Sequence, residues 1–142
     1  MGIDKSKLPE KAAWENLLRK EFEKTKRAKN FFYLEWFLDD ELIGHSNIND
    51  ITFGESAKVH LHIWAENLRQ KGLGQFFFKE SISMFCDAFE LKQLICEPSA
   101  KNPAPNRVFK RLGIKPEKEY LTTPGWINFE QLVKRYEISE KI

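Results

Sequence analysis

The chain has 142 residues, a length that favours one domain built around a single core. Its residues are 42% hydrophobic and 31% charged with a formal net charge of +2, which is typical of a soluble globular protein and argues against a nucleic-acid partner. No apolar run approaches membrane-spanning length and the N-terminus lacks a signal-peptide core, so we expect a cytoplasmic protein without a membrane partner.

The first predicted element is a helix over residues 7–29. Trp14, Leu17, Leu18 and Phe22 recur at the spacing of one helix face. A proline near the start of the segment is tolerated in a first helical turn. Glutamates followed by arginines four residues later are typical of a solvated face. The pattern therefore indicates an amphipathic helix.

Three strands follow this helix. Residues 31–38 are β-forming types throughout, and residues 42–48 form the second strand of a hairpin after a polar turn at 39–41. A glycine-bearing loop at 49–56 leads to a third strand at 57–64. The order predicts three successive antiparallel strands.

A basic, glycine-bearing turn joins the third strand to the next helix. It reads Arg69-Gln70-Lys71-Gly72-Leu73-Gly74, and beyond it apolar residues recur at helical spacing up to Phe89. Glycines let the backbone approach a ligand closely, and the first N–H groups of a helix point at an anion with the positive end of the helix dipole behind them. The turn therefore predicts an anion-binding site.

The strand predicted at residues 91–97 completes a strand–helix–strand unit. Its nearly continuous apolar sequence is typical of a central strand beside a parallel neighbour. Cys86 in the helix and Cys96 in the strand form no Cys-x-x-Cys pair. We therefore expect two buried, reduced thiols rather than a disulfide or a cysteine-based zinc site.

A short helix and a closing pair of strands complete the chain. Asn102 is a favoured N-cap residue with a proline directly after it, and Gly113 ends the helical pattern. Residues 117–123 and 126–138 then predict two strands around a Pro-Gly turn. Within the second of these, residues 129–136 fit either a strand or a short helix.

Two blocks of this sequence resemble the GNAT superfamily of acyl-CoA-dependent N-acyltransferases. Arg69-x-x-Gly72-x-Gly74 matches the family signature (Gln/Arg)-x-x-Gly-x-(Gly/Ala) at the expected strand-to-helix junction. Residues 102–114 resemble the second block, Asn-x-x-Ser-x-x-x-Leu-x-Lys-Leu-Gly-Phe, in the form typical of the branch that contains the ribosomal-protein N-terminal acetyltransferases. The resemblance extends from residue 31 to the C-terminus.

The resemblance implies an α/β fold whose mixed sheet splays around coenzyme A. It implies a single acetyltransferase domain over residues 1–142, with an N-terminal helical segment at 1–30 and a core at 31–142. The residues expected at the pantetheine arm, His62, Ile63 and Trp64, would bind it through the main chain. Asn102 would bind the arm, cap its helix or do both. The residues expected to hold the pyrophosphate are Arg69, Gln70, Lys71, Gly72, Leu73 and Gly74.

Three departures from the family pattern stand out. The family begins with a strand and two helices, whereas this sequence predicts one helix and no convincing first strand, so the N-terminal strand is expected to be missing or reduced. Many relatives carry in the second block a tyrosine that protonates the leaving thiolate, and here that position is Phe109. The serine of the branch motif is replaced by Pro105.

Few residues are candidates for the catalytic steps. Amine acetylation needs a base for the amine proton and N–H groups for the oxyanion. Glu97, at the end of a strand, and His62 are candidate bases, although Glu97 fits a solvent-facing acid or a cap partner equally well. Ser99 is the hydroxyl nearest the missing acid, and His45 and Trp126 are expected to contact the acceptor. Trp126 fits a hairpin aromatic packed on the sheet at least as well. His45, His60 and His62 also admit a zinc site, but the family chemistry needs no metal, and we expect none.

The sequence thus predicts an N-acetyltransferase that moves an acetyl group from acetyl-CoA directly to a primary amine in a ternary complex. The acceptor is either a protein N-terminus or a small molecule such as an amino sugar or a polyamine. The first alternative is a non-catalytic module that binds coenzyme A as a sensor or scaffold, and the second is an interaction domain that binds no coenzyme. A missing first strand would leave an open sheet edge, which is compatible with a homodimer.

Overall fold

A computed structural model of the chain describes residues 2–64 and 72–139. Within them, the strands form one mixed sheet in the order β1-β2-β3-β4-β6-β5, in which only β3 and β4 are parallel. The elements are α1 (Lys11–Glu23), β1 (Phe31–Leu38), β2 (Glu41–Thr52), β3 (Ser56–Ile63), α2 (Leu73–Phe89), β4 (Gln93–Cys96), α3 (Pro103–Arg111), β5 (Lys118–Thr122) and β6 (Gln131–Ser139). The predicted mixed α/β fold is confirmed.

The hairpin of β2 and β3 is longer than the sequence predicts. Residues 49–52, predicted as loop, extend β2 to Thr52, which pairs with Ser56. The ladder is irregular between Asn49 and Thr52, and Asp50 has a positive φ of 48°. The polar residues here therefore lie on a distorted strand, and the connection itself is a tight turn around Gly54, whose φ is 77°.

Helix α1 is shorter than the predicted helix over residues 7–29. The carboxylate of Glu21, a buried residue, accepts the backbone N–H groups of Asn30 at 2.9 Å and of Phe31 at 3.4 Å. These bonds turn the chain back from the helix into β1. Phe22 is 86% exposed, so the predicted apolar stripe does not continue to that position.

The segment ahead of α1, where the sequence predicts a missing or reduced first strand, makes a short contact elsewhere in the sheet. Ahead of α1, the described residues contain only an isolated bridge between Ile3 and Asn128. The N–H of Asp4 donates to the carbonyl of Ile127 at 2.7 Å. The N-terminal segment therefore pairs with the β5–β6 connection rather than with the exposed edge of β1.

The core lies between the sheet and helices α2 and α3. Phe78 and Phe85 of α2 and Phe109 of α3 are wholly buried. A buried hydrogen-bonded group of Trp36, Ser46 and Ser81 also ties α2 to β1 and β2, with 2.7 Å between the two serine hydroxyls. These contacts fix the helix start relative to the sheet.

The sheet splays between β3 and β4. Their parallel pairing covers only Ser56 to Lys58 on β3 and Gln93 to Ile95 on β4. Strand β3 nevertheless continues to Ile63 alongside β2. Beyond Lys58 the two strands therefore separate and leave a gap, as the resemblance implied.

Candidate active site

The direction of the peptide groups along the gap follows from the alternation of N–H and C=O groups along β3. The N–H of Trp64 donates to the carbonyl of Ile43 in β2 at 2.8 Å, so the peptide groups of Trp64 and His62 are directed towards β2. Alternation then directs the N–H and C=O groups of Leu61 and Ile63 towards the gap. Of the three residues predicted to bind pantetheine through the main chain, Ile63 therefore has the required direction.

A close approach of β2 fixes the end of β3. A Cβ atom added to Gly44 would lie 2.2 Å from the carbonyl oxygen of His62, closer than any real contact. Only glycine allows β2 to pass His62 at this distance. The backbone beside the gap is thereby held in place.

The start of α2 forms the second part of the site. Gly72 is the N-cap residue with φ 80° and ψ −6°, a left-handed conformation that favours glycine, and a Cβ there would meet nothing within 4 Å. A Cβ on Gly74 would lie 3.4 Å from Cδ1 of Ile63, an ordinary contact. No side chain of the described residues caps this helix start, so the arrangement fits an anion on its first N–H groups. Arg69, Gln70 and Lys71 lie outside the described residues.

The turn before α3 brings Ser99 and Asn102 close together. The side chain of Asn102 accepts the N–H of Ala104 at 3.3 Å, which confirms the predicted N-cap. The hydroxyl of Ser99 accepts the N–H of Lys101 at 3.4 Å. Both side chains thus stabilise the turn, and their predicted roles towards coenzyme and thiolate stay predictions.

Asn106 supports this turn from inside α3. Its amide donates to the carbonyls of Ser99 at 3.0 Å and Asn102 at 2.6 Å, and its oxygen accepts the Tyr136 hydroxyl at 2.8 Å. The ring of Tyr136 stacks on Phe109 with centroids 3.9 Å apart. At the position where many relatives carry the acidic tyrosine, the chain therefore has a buried phenyl ring.

Glu97 is the centre of a polar cluster that joins four strands. Its side chain is 3% exposed and accepts hydrogen bonds from the Tyr120 hydroxyl and from Arg135 Nη1, the latter at 3.2 Å. Lys58 Nζ lies 3.7 Å from its other oxygen. The hydrogen bond to Glu97 also raises the pKa of Tyr120. Because these partners occupy the carboxylate, it links β3 to β5 and β6 below the gap.

The sequence placed Glu97 at a strand end but did not reveal its partners. Alternation along β3 puts Lys58, His60 and His62 on one face, a signal that was available. Tyr120 and Arg135 reach that face only through the register of β4, β6 and β5. That register depends on pairings between distant segments and has no local signal.

The sheet face opposite α2 carries the three histidines. The ring centroid of His45 lies 5.2 Å from that of His62, 5.4 Å from Trp64 and 5.9 Å from Tyr33. Tyr33 and Trp64 are 41% and 51% exposed, so the group borders solvent next to the gap. His45 and His62, predicted separately as acceptor contact and base, are therefore brought together.

Burial keeps two of these imidazoles neutral. Burial, followed by the neighbouring His62 and Lys58, lowers the pKa of His60 to about 4. Burial and then His62 also lower the pKa of His45. His60 Nε2 contacts Asn49 Oδ1 at 3.4 Å, whereas His45 Nδ1 is buried and makes no hydrogen bond within residues 2–64 and 72–139. Across the same residues, no group of three or more His, Cys, Asp or Glu side chains is arranged to hold a metal ion.

Trp126 borders a separate apolar cavity. The cavity measures about 320 Å³. Its lining residues are Pro9, Ala13, Trp14, Leu17, Phe31 and Trp126. The Trp126 ring is 57% exposed and its centroid lies 6.0 Å from that of Trp14. The structure thus places Trp126 beside α1, and its predicted contact with the acceptor stays a prediction.

Comparison with known proteins bears on both fold and family. The family model described as an acetyltransferase (GNAT) domain matches residues 3–115. No curated protein matches the chain by sequence. In the described residues, no helix is long and apolar enough to cross a membrane.

Solved structures of spermidine N-acetyltransferases share the fold. The spermidine N-acetyltransferase from Vibrio cholerae in complex with CoA and spermine has a TM-score of 0.74 at 18% identity, covering 94% of this chain and 77% of that chain. Mutant forms of the spermidine/spermine N-acetyltransferase from the same organism give 0.73 at 19% identity, covering 91% and 76%. At such identities the likeness concerns the fold, and the family follows from the sequence match. The chain belongs to the GNAT acetyltransferase family and is an acyl-CoA-dependent N-acetyltransferase.

Proposed function

We propose that the whole chain works as one acetyltransferase domain that moves an acetyl group from acetyl-CoA directly to a primary amine. The observation that carries this proposal is the gap between β3 and β4, which opens beside the start of α2. The thioester supplies the acetyl group at that gap. The protein contributes directed peptide groups, a helix start and a base.

The donor side of the gap fits coenzyme A by charge and by space. The first N–H groups of α2 have no side-chain cap in the described residues, and the space beside Gly72 is open. An anionic pyrophosphate at this point would accept those N–H groups. The peptide groups of Leu61 would meet the amide-bearing pantetheine arm and supply an N–H for the developing oxyanion.

The acceptor side of the gap has His62 as its base. The side chain of His62 is exposed on the histidine-bearing face, at the end of the strand that lines the gap. An imidazole can accept a proton near neutral pH. Glu97 acts instead as a positioning residue, since its oxygens already meet Tyr120, Arg135 and Lys58.

The acceptor is a small-molecule or peptide amine. The solved structures with the same fold are described as acting on spermidine or spermine, which makes polyamines the first compounds to test. Amino sugars and the N-termini of short peptides complete the set of acceptors. A matched N-acetylated peptide, which lacks the primary amine, serves as the control acceptor.

One observation favours a second function, binding of coenzyme A without turnover. Phe109 is wholly buried and Pro105 stands in place of the branch serine. The second family block therefore offers no hydroxyl to a leaving thiolate. A sensor or scaffold needs the donor site but no proton donor.

Release of free thiol from acetyl-CoA across the amine panel separates the two functions. Turnover with at least one primary amine, but not with the acetylated control, supports the transferase. Calorimetric binding of CoA without thiol release for any amine supports the sensor. A protein that binds no CoA would contradict both proposals.

A further inference from the structure

His45 and His62 lie side by side across the β2–β3 ladder. They are paired residues in the antiparallel register, and His45 also pairs with Glu35 of β1. The two imidazole centroids are 5.2 Å apart with an interplanar angle of 34°. At this separation the rings can exchange a proton through one bridging water.

One nitrogen of this pair has no assigned use. His45 Nδ1 is buried and makes no hydrogen bond within the described part of the chain. Such groups are rare, because a buried polar atom without a hydrogen bond destabilises the fold. His60, two residues before His62 on the same face, differs in that its Nε2 contacts Asn49. Because Nδ1 of His45 is shut off from solvent, proton exchange at this residue falls to Nε2, which is not one of the buried, unbonded atoms of the described residues.

Acetylation of an ammonium requires two proton removals from one nitrogen. The first turns the ammonium into the amine that attacks the thioester carbon. The second removes a proton from the same nitrogen after the carbon–nitrogen bond has formed. When the carbon–sulfur bond breaks, the thiolate takes up one proton, so one of the two is released to solvent. A single base can serve both steps only if it gives up the first proton before it takes the second.

We propose that His45 and His62 form a two-imidazole relay that handles both protons of the acceptor nitrogen. This inference rests on the proposed acetyl transfer. His62 takes the first proton from the ammonium and passes it to His45, which releases it to solvent along the exposed side of β1. The neutral His62 then takes the second proton and returns it to the leaving thiolate. The relay thereby supplies the acid that Phe109 does not.

The surroundings of His45 favour its role as a temporary proton carrier. The charged or titratable residues that share its face on neighbouring strands are Tyr33, Glu35, Lys58, His60, His62 and Glu97. Burial and the neighbouring His62 lower the pKa of His45, so its imidazole is neutral at pH 7 and returns a proton readily. Glu35 is exposed and pairs with His45 in register, on the solvent side of the relay.

The test compares three single variants on the amine that wild type acetylates best. His62→Gln should lower kcat about 100-fold, in the range of general acid–base catalysis. His45→Gln should lower kcat about tenfold, leave the KM for acetyl-CoA within about twofold and change the pH dependence of kcat. His60→Gln is the matched control on the same face and should keep the wild-type pH profile.

Chemical rescue separates the relay from a structural role. Free imidazole in the buffer should restore part of the activity of His45→Gln, because the exposed His62 can then pass its proton to the added base. NMR titration of the imidazoles gives a readout independent of turnover. In His62→Gln the pKa of His45 should rise, since a neighbour that opposes its protonation is gone.

The outcomes distinguish the relay from the proposed function. Wild type that acetylates an amine, together with a His45→Gln variant of unchanged kcat, unchanged pH profile and no imidazole rescue, overturns the relay alone. An unchanged pKa of His45 in His62→Gln also overturns it, and this measurement decides the matter if His45→Gln does not fold. Wild type that turns over no amine overturns the proposed function and the relay with it.

Discussion

Gly74 offers the sharpest test of the donor site, because its packing and its predicted ligand contact can be changed separately. A Cβ at this position would lie 3.4 Å from Cδ1 of Ile63 and 4.0 Å from Cγ2 of Val108. Gly74→Ala therefore adds a methyl group at ordinary contact distances. Alanine is also favoured over glycine within a helix by about 1 kcal/mol. The free energy of unfolding should stay within about 1 kcal/mol of wild type.

Gly74→Glu adds a carboxylate in the first turn of the same helix. A negative charge at a helix start stabilises the fold by about 0.3–1 kcal/mol, so the variant should remain folded. The carboxylate, however, competes with the pyrophosphate for the first N–H groups of α2. Hydrogen bonds to charged groups contribute about 1.5–3 kcal/mol each. Losing two of them weakens coenzyme binding by about 10²- to 10⁴-fold.

Isothermal titration calorimetry with CoA measures this difference, and urea unfolding measures the stability of each variant. We expect Gly74→Ala to bind CoA within about threefold of wild type and Gly74→Glu to bind it at least 100-fold more weakly. If both variants unfold at the same urea concentration and bind CoA equally well, the pyrophosphate does not lie at the start of α2. The donor site would then have to be elsewhere on the chain.

Three further changes test other parts of the structure. Glu97→Gln leaves two cations without their carboxylate, so it should lower the free energy of unfolding in urea by about 1–3 kcal/mol. It should also raise the KM for acetyl-CoA, and an unchanged KM would contradict the positioning role of Glu97. Gly44→Ala places a methyl group against the carbonyl of His62 and should lower the free energy of unfolding by about 1–3 kcal/mol. It should also weaken CoA binding in calorimetry, and CoA binding as tight as in wild type would mean that β3 can move freely. Burial alone would raise the pKa of Glu21, but hydrogen bonds from Lys24 and two backbone N–H groups hold it below its usual 4.5. The stabilisation that ionised Glu21 gives the fold is therefore present above pH 4.5 and is lost as the pH falls through the lowered pKa. The difference in urea midpoint between wild type and Glu21→Gln should therefore shrink on acidification, and a constant difference would refute this linkage.

The sequence predicted the elements of the fold wherever local chemistry determines them. The N-cap at Asn102, the glycine-bearing turn that starts α2 and the apolar face of α2 each have a strong local signal. The end of α1 and the extension of β2 were not predicted. Both depend on partners outside the segment, namely the carboxylate of Glu21 for one and the pairing of Thr52 with Ser56 for the other.

For the same reason, some parts of the candidate site were predicted from the sequence and others were not. The helix start follows from a motif that is continuous in sequence, and the gap was implied by the family resemblance that this motif carries. The pairing of His45 with His62 requires the register of β2 against β3, and the cluster around Glu97 requires residues from four strands. Sequence patterns give the face of a strand on which a residue lies, but not the residue that pairs with it across a ladder.

The three tyrosines of the chain give a reason to assign the proton chemistry to imidazoles. The hydroxyl of Tyr120 donates to Glu97, and that of Tyr136 donates to Asn106. Tyr33 lies on β1, two strands away from the gap, and burial raises its pKa. Protonating a thiolate from Tyr120 or Tyr136 would break a hydrogen bond that supports the gap or the turn before α3. An imidazole that has just taken the amine proton is a stronger acid than any of these phenols and stands at the end of β3 already.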